Sequence, residues 1–78
     1  MKMKDMIIRL VSIDDVKNFV NTAVTSPCEI YLISGRYIVD GKSIMGVFSL
    51  DLSKNIRLEV QGETAEETIE KFRAFEVK

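Results

Sequence analysis

Seventy-eight residues, 46% of them hydrophobic, suit one domain with a single core, and a chain this short buries only about 60% of its unfolded surface. Eleven basic and twelve acidic residues leave a net charge of −1, so no general field draws in nucleic acid or an anionic membrane surface. A single cysteine, Cys28, excludes an internal disulfide, and the absence of histidine excludes a Cys/His zinc site and the usual nucleophilic triad.

The opening MKMKDMIIRLV holds an apolar run that Arg9 cuts short, too brief for a signal peptide or a membrane span, so the expected setting is the cytoplasm. The same run predicts a first strand over Met6–Val11 that begins as early as Met3. Ser12 then offers a capping hydroxyl, with Asp14 and Asp15 in the first turn to complement the helix dipole. Ile13, Val16, Phe19, Val20, Ala23 and Val24 recur at helical spacing and form one apolar face, opposite Lys17, Asn18 and Asn21. Pro27 disfavours helical geometry in its predecessor and stops the helix by Ser26.

Glu29–Ser34 is the second strand, with Ile30 and Leu32 alternating against Tyr31 and Ile33. Ser34-Gly35-Arg36 turns it into a third strand, Tyr37–Val39, as a hairpin. Asp40-Gly41 is a turn signal, and behind it Ser43 caps a short apolar helix that runs through Ile44, Met45, Val47 and Phe48 towards Leu50. Val47 and Leu50 are assigned to the core. After a polar loop over Asp51–Asn55, Ile56, Leu58 and Val60 alternate with Arg57, Glu59 and Gln61 in the clearest half-buried strand of the chain. Thr64 and Glu67 form a capping box for the last helix, whose buried stripe is Ala65, Ile69 and Phe72, with Phe75 or Glu76 at its margin. Glu67 and Lys71 sit four apart in the favourable order. The order βαββαβα predicts an α+β domain over residues 1–78, one sheet with helices on a single face.

Little in this pattern points to catalysis. The carboxylates are scattered over helix surfaces, the four glycines are isolated, and Cys28 at a strand start reads as an inert core or edge residue. No metal, cofactor or enzymatic activity is expected. Ser43 is different, because a serine at a helix start is a place where adding a dianion is locally favourable. The plainer reading is that its hydroxyl only caps the helix, a contribution of about 1 kcal/mol.

The string GKSIMGVFSLDLSK around Ser43 resembles the regulatory segment of HPr, the histidine-containing phosphocarrier of the bacterial sugar phosphotransferase system, with an unbroken Lys42-Ser43-Ile44-Met45-Gly46. The likeness runs along nearly the whole chain. Asn21-Thr22-Ala23 and Glu29-Ile30-Tyr31-Leu32 fall, without a net gap, where the family has the end of its first helix and its second strand. Ile56–Val60 and the last helix have counterparts after a slightly shorter loop. The resemblance implies the family's open-faced sandwich, a four-stranded antiparallel sheet with helices on one face. It also implies that Ser43 is the serine phosphorylated by HPr kinase, and that Ile44, Met45 and Phe48 are the patch that docks on partner proteins.

The departure from the family lies at the first helix. HPr relays a phosphoryl group through a histidine there, followed closely by an arginine; counted back from Ser43, Ser12 holds the histidine's place, Asp14 the arginine's and Asp15 that of the usual proline. A phosphoserine ester is too stable to donate readily, and two aspartates repel phosphate. Where the family has a glycine, Asp51 adds negative charge near the end of the short helix. The expectation is an HPr-like regulatory protein without phosphocarrier activity, answering to Ser43, as a catabolite-repression homologue within the family also lacks the histidine. Its partners would be proteins, HPr kinase or a transcriptional regulator, with neither nucleic acid nor membrane. The alternative is a fold relic that binds a partner through Met45 and Phe48 without being phosphorylated. A phosphotransferase component using Ser12 or an aspartate is the third and weakest reading.

Overall fold

The computed structural model describes residues 2–77; Met1 and Lys78, the ends of the domain expected over 1–78, lie outside the described residues. The elements are β1 (Met3–Ile8), α1 (Ile13–Val24), β2 (Glu29–Ser34), β3 (Tyr37–Asp40), α2 (Ile44–Phe48), β4 (Ile56–Gln61), α3 (Ala65–Glu70) and a 3-10 turn over Arg73–Phe75. All strand pairs are antiparallel, in the order β1-β4-β2-β3. This is the expected α+β open-faced sandwich.

Strand pleating decides which face is covered. Ile56, Leu58 and Val60 alternate along β4, and their register places Ile8 and Met6 of β1 beside Ile56 and Leu58, and Leu32 and Ile30 of β2 beside Leu58 and Val60. These rows form a buried floor. Onto it α1 lays Val16, Phe19, Val20 and Ala23, and the C-terminal helical segment lays Ala65, Ile69 and Phe72, all buried. The Phe19 ring lies 5.0 Å from Phe72 and 5.8 Å from Phe75, the latter edge-on. Val47 and Leu50 are buried as expected.

Several expectations need correction. The first strand ends at Ile8 instead of Val11, because Arg9 N–H leaves the sheet ladder and donates to the Phe75 carbonyl at 3.0 Å. The C-terminal tail then covers the free edge of β1, with Val77 N–H donating to the Ile7 carbonyl at 2.9 Å. Ile13 and Val24, assigned to the buried face of α1, are exposed, since they are its first and last residues. The capping box at Thr64 does not form: its hydroxyl turns inward, 3.3 Å from Cys28 Sγ and 3.4 Å from Thr68 Oγ1. Thr68 therefore joins the buried stripe as a polar member. The last helix stops at Glu70, and Lys71 forms no ion pair with Glu67 among the described residues. Arg73 makes the local bridges instead, to Glu70 at 2.7 Å and Glu76 at 2.9 Å.

Positive φ calls for glycine at two positions among the described residues. Gly35 (φ 60°) opens the β2–β3 turn, and since no non-glycine residue has positive φ, the two-residue loop has the II′ geometry that suits hairpin twist. Gly62 (φ 150°) ends β4 where an added Cβ would stand 2.9 Å from Cys28 Sγ.

This packing predicts a sharp contrast between two phenylalanines. Phe72→Ala should cost about 3–5 kcal/mol in urea unfolding, as expected for a buried aromatic ring, whereas Phe48→Ala should cost below about 1 kcal/mol. Equal losses would contradict the assignment of Phe72 to the core and Phe48 to the surface.

Candidate functional site

Two helix starts carry the residues of interest. In α1, Ser12 is extended and its Oγ accepts from Asp15 N–H at 3.0 Å. Asp15 turns back, and its Oδ2 accepts from Val11 N–H at 3.0 Å. Only Arg9–Val11 separate β1 from this cap, so the connection is short, with Arg9 N–H tied to the Phe75 carbonyl and Val11 N–H to Asp15. A carboxylate thus already occupies the positive end of the helix dipole. An incoming phosphate would meet Asp14 and Asp15 in the first turn there, with Arg9 on the groove that Ser12 lines.

The start of α2 is built by its preceding turn. Asp40 Oδ1 accepts from Lys42 N–H at 2.8 Å, its carbonyl accepts from Ser43 N–H at 3.0 Å, and Ser43 Oγ accepts from Gly46 N–H at 3.1 Å. Ser43 is half-buried. Lys42 reaches away to the Ser26 carbonyl, 3.3 Å from Nζ. Val47 is the side chain that anchors this single turn in the core, and the rest is left outside: Met45 is 77% exposed, Phe48 41% and Ile44 39%. Ser49, in the last turn, donates its hydroxyl to the Gly46 carbonyl at 2.6 Å.

The two helix starts do not converge on one point. Ser12 and Phe48 share an open groove of about 400 Å³ between the β1–α1 connection and the end of α2, with Arg9, Val11, Ile13 and Ser53 also on its walls. Ser43 and Met45 do not line that groove. The apolar surface is consequently wider than Ile44, Met45 and Phe48, because Val11 (73% exposed) and Ile13 continue it. The sequence reading missed both. It placed Val11 in a strand and Ile13 in the core, and the usable signal was their position on either side of the cap, outside the reach of the sheet. Arg9 was also missed; its Nε is buried without a hydrogen-bond partner among the described residues.

Two other groups were singled out by sequence. Asp51 is folded into its own loop, where Oδ1 accepts from Ser53 Oγ at 2.6 Å and Ser53 N–H at 3.0 Å, bonds that hold its carboxyl below the ordinary value. Cys28 is buried beneath Gly62. Burial pushes its thiol up, but hydrogen bonds with Thr64 and Thr68 outweigh that and lower it. No group of three or more metal-ligating side chains is found among the described residues, and no helix is long and apolar enough to cross a membrane.

A small open-faced sandwich with a serine-capped short helix and an apolar apron around the first two helices defines a protein of the phosphocarrier type. Residues 15–76 match the family described as the PTS HPr component phosphorylation site, and the chain belongs to this HPr family. It is similar in structure to the phosphocarrier protein HPr of Bacillus anthracis, at 23% identity and a TM-score of 0.79, covering 99% of this chain and 100% of that one. HPr-C-His of Thermoanaerobacter tengcongensis is similar at 26% identity and TM-score 0.75, covering 95% and 89% of the two chains. The Bacillus subtilis catabolite repression containing protein Crh, described as a swapped dimer, is similar at 29% identity and TM-score 0.71, covering 91% and 87%. Among curated protein sequences none matches.

Both caps should be measurable as stability. Ser12→Ala and Ser43→Ala are each expected to lower the unfolding free energy by about 1 kcal/mol in urea titrations. A loss near zero for either would show that its hydroxyl does not hold the helix start.

Proposed function

We propose that this chain is a regulatory, protein-binding member of the HPr family that carries no phosphoryl group on histidine and responds to phosphorylation of Ser43. The observation that carries the reading is that the chain contains no histidine at any position. Without an imidazole the start of α1 lacks the group through which the family relays phosphate, and the carboxylate of Asp15 there is engaged with Val11 N–H. The position counted to the histidine is Ser12, whose Oγ accepts from Asp15 N–H. The closure of that helix start by Asp15 supports the same conclusion.

Ser43 supports the regulatory half of the proposal. It lies beside Ile44 and Met45, both exposed, and the first turn of a helix presents N–H groups without intrahelical partners. A phosphoryl group on its Oγ would add about −1.5 to −2 charges to the edge of an apolar apron formed by Ile44, Met45, Phe48, Val11 and Ile13. A surface changed in that way selects between partners: apolar docking alone in one state, apolar docking plus a cationic contact in the other. The partners are proteins, HPr kinase as the modifying enzyme and a transcriptional regulator of the catabolite-control type as the reader. The setting is the cytoplasm, and the role is binding instead of catalysis.

Incubation with an HPr kinase and ATP, followed by intact-mass spectrometry and peptide mapping, tests the proposal. One acid-stable phosphate on Ser43, absent from Ser43→Ala, is the expected result. Full labelling of the Ser43→Ala protein would refute the site. No labelling, with HPr modified in parallel, would favour a phosphorylation-independent binding module acting through the unmodified Met45 and Phe48 surface.

A further inference from the structure

The face of the sheet opposite the helices is patterned. Register across β1-β4-β2-β3 sets Asp5, Glu59, Tyr31 and Asp40 in one row and Ile7, Arg57, Ile33 and Ile38 in the next. The first row is acidic, and Glu29 extends it through the Tyr31 hydroxyl, which donates to Glu29 Oε2 at 2.7 Å. The second row is apolar apart from Arg57, whose guanidinium leans back to Asp5 at 2.9 Å and Glu59 at 3.5 Å. Among the described residues, four carboxylates therefore stand against Arg57 on this side of the sheet, with Lys42 beside Glu29 and Asp40 at its margin, although the chain as a whole is nearly neutral. Ile7 is 45% exposed and Ile38 67%.

We infer that this open face is a second docking surface, for a basic amphipathic helix of a partner protein. Charge decides the occupant. A second copy of this chain would bring one acidic row against another, and nucleic acid or anionic lipid would be repelled by the same carboxylates. A helix with an apolar stripe flanked by lysines or arginines would set the stripe on Ile7, Ile33 and Ile38 and the cations along Asp5, Glu59 and Asp40. The dimensions agree: four strands spaced about 4.8 Å apart give a row of about 15 Å, the length of about ten helical residues. The apolar row lies on the face of the sheet opposite the helices, while Asp40, at the end of the acidic row, also accepts from the Lys42 and Ser43 amides.

The test uses a fluorescein-labelled, amidated peptide of about 14 residues with a leucine stripe and lysines along one side, titrated with the intact protein. Saturable anisotropy is expected, with backbone amide shifts on Ile7, Arg57, Ile33 and Ile38 and none on Met45 or Phe48. The double variant Ile7→Thr/Ile38→Thr and the single variant Glu59→Gln should each weaken binding by about fivefold or more, and salt raised from about 50 to 500 mM should weaken it by about tenfold. Shifts confined to α1 and α2 would overturn the inference, as would equal binding of a control peptide with glutamates in place of lysines. A concentration-dependent dimer in sedimentation that buries this face would overturn it in favour of self-association. The shift map on the parent protein decides the location even if a variant folds poorly.

Discussion

The strand Ile56–Gln61 arrives late in the chain yet pairs with β1 on one side and β2 on the other, so the two halves of the sheet meet only through it. Its inward residues Ile56, Leu58 and Val60 carry no exposed surface and form the floor on which both long helical segments rest. Until β4 is in place, α1 has half a sheet to cover and the Phe19–Phe72 contact has no support. Pairing over such a sequence separation costs loop-closure entropy before it returns any contact. The local devices that hold the rest in register, the Gly35 hairpin and the helix caps, reduce what β4 has to organise.

The same scaffold explains how the two helix starts come to differ. α2 is one turn anchored by Val47, and everything that is not anchor faces solvent; its cap is a bare serine beside apolar side chains. α1 begins with a serine held by Asp15 and an amide held by the same carboxylate. One start has no acidic side chain in its first turn, and the other has two. The proposed regulatory role rests on that contrast, and Val11, Ile13, Met45 and Phe48 are apolar side chains exposed around the two helix starts.

Most of the fold was legible because period and punctuation agreed. β2 and β4 could be read from strict alternation, α1 from its apolar spacing between Ser12 and Pro27, and the α2 cap from Ser43 after Asp40-Gly41. At the first strand's end and at Thr64 the failures share a cause, tertiary contacts overriding local signals. Arg9–Val11 look like strand, but the Arg9 amide is claimed by the C-terminal tail and the Val11 amide by Asp15. Thr64 has the spacing of a cap, but a buried thiol and Thr68 compete for its hydroxyl, and that polar cluster is invisible in a one-dimensional pattern. At the candidate site the cap at Ser43 and the exposure of Ile44, Met45 and Phe48 were legible from the motif. Val11, Ile13 and Arg9 were not, since periodicity cannot tell where a helix overhangs its sheet.

The claim on which this account turns is that the start of α1 no longer carries a phosphoryl group. Incubation with enzyme I and radiolabelled phosphoenolpyruvate, with HPr labelled in parallel, measures it directly. The account predicts no label on this chain under conditions that saturate HPr. A labile acyl phosphate mapped to Asp14 or Asp15 would contradict it and return the protein to the relay.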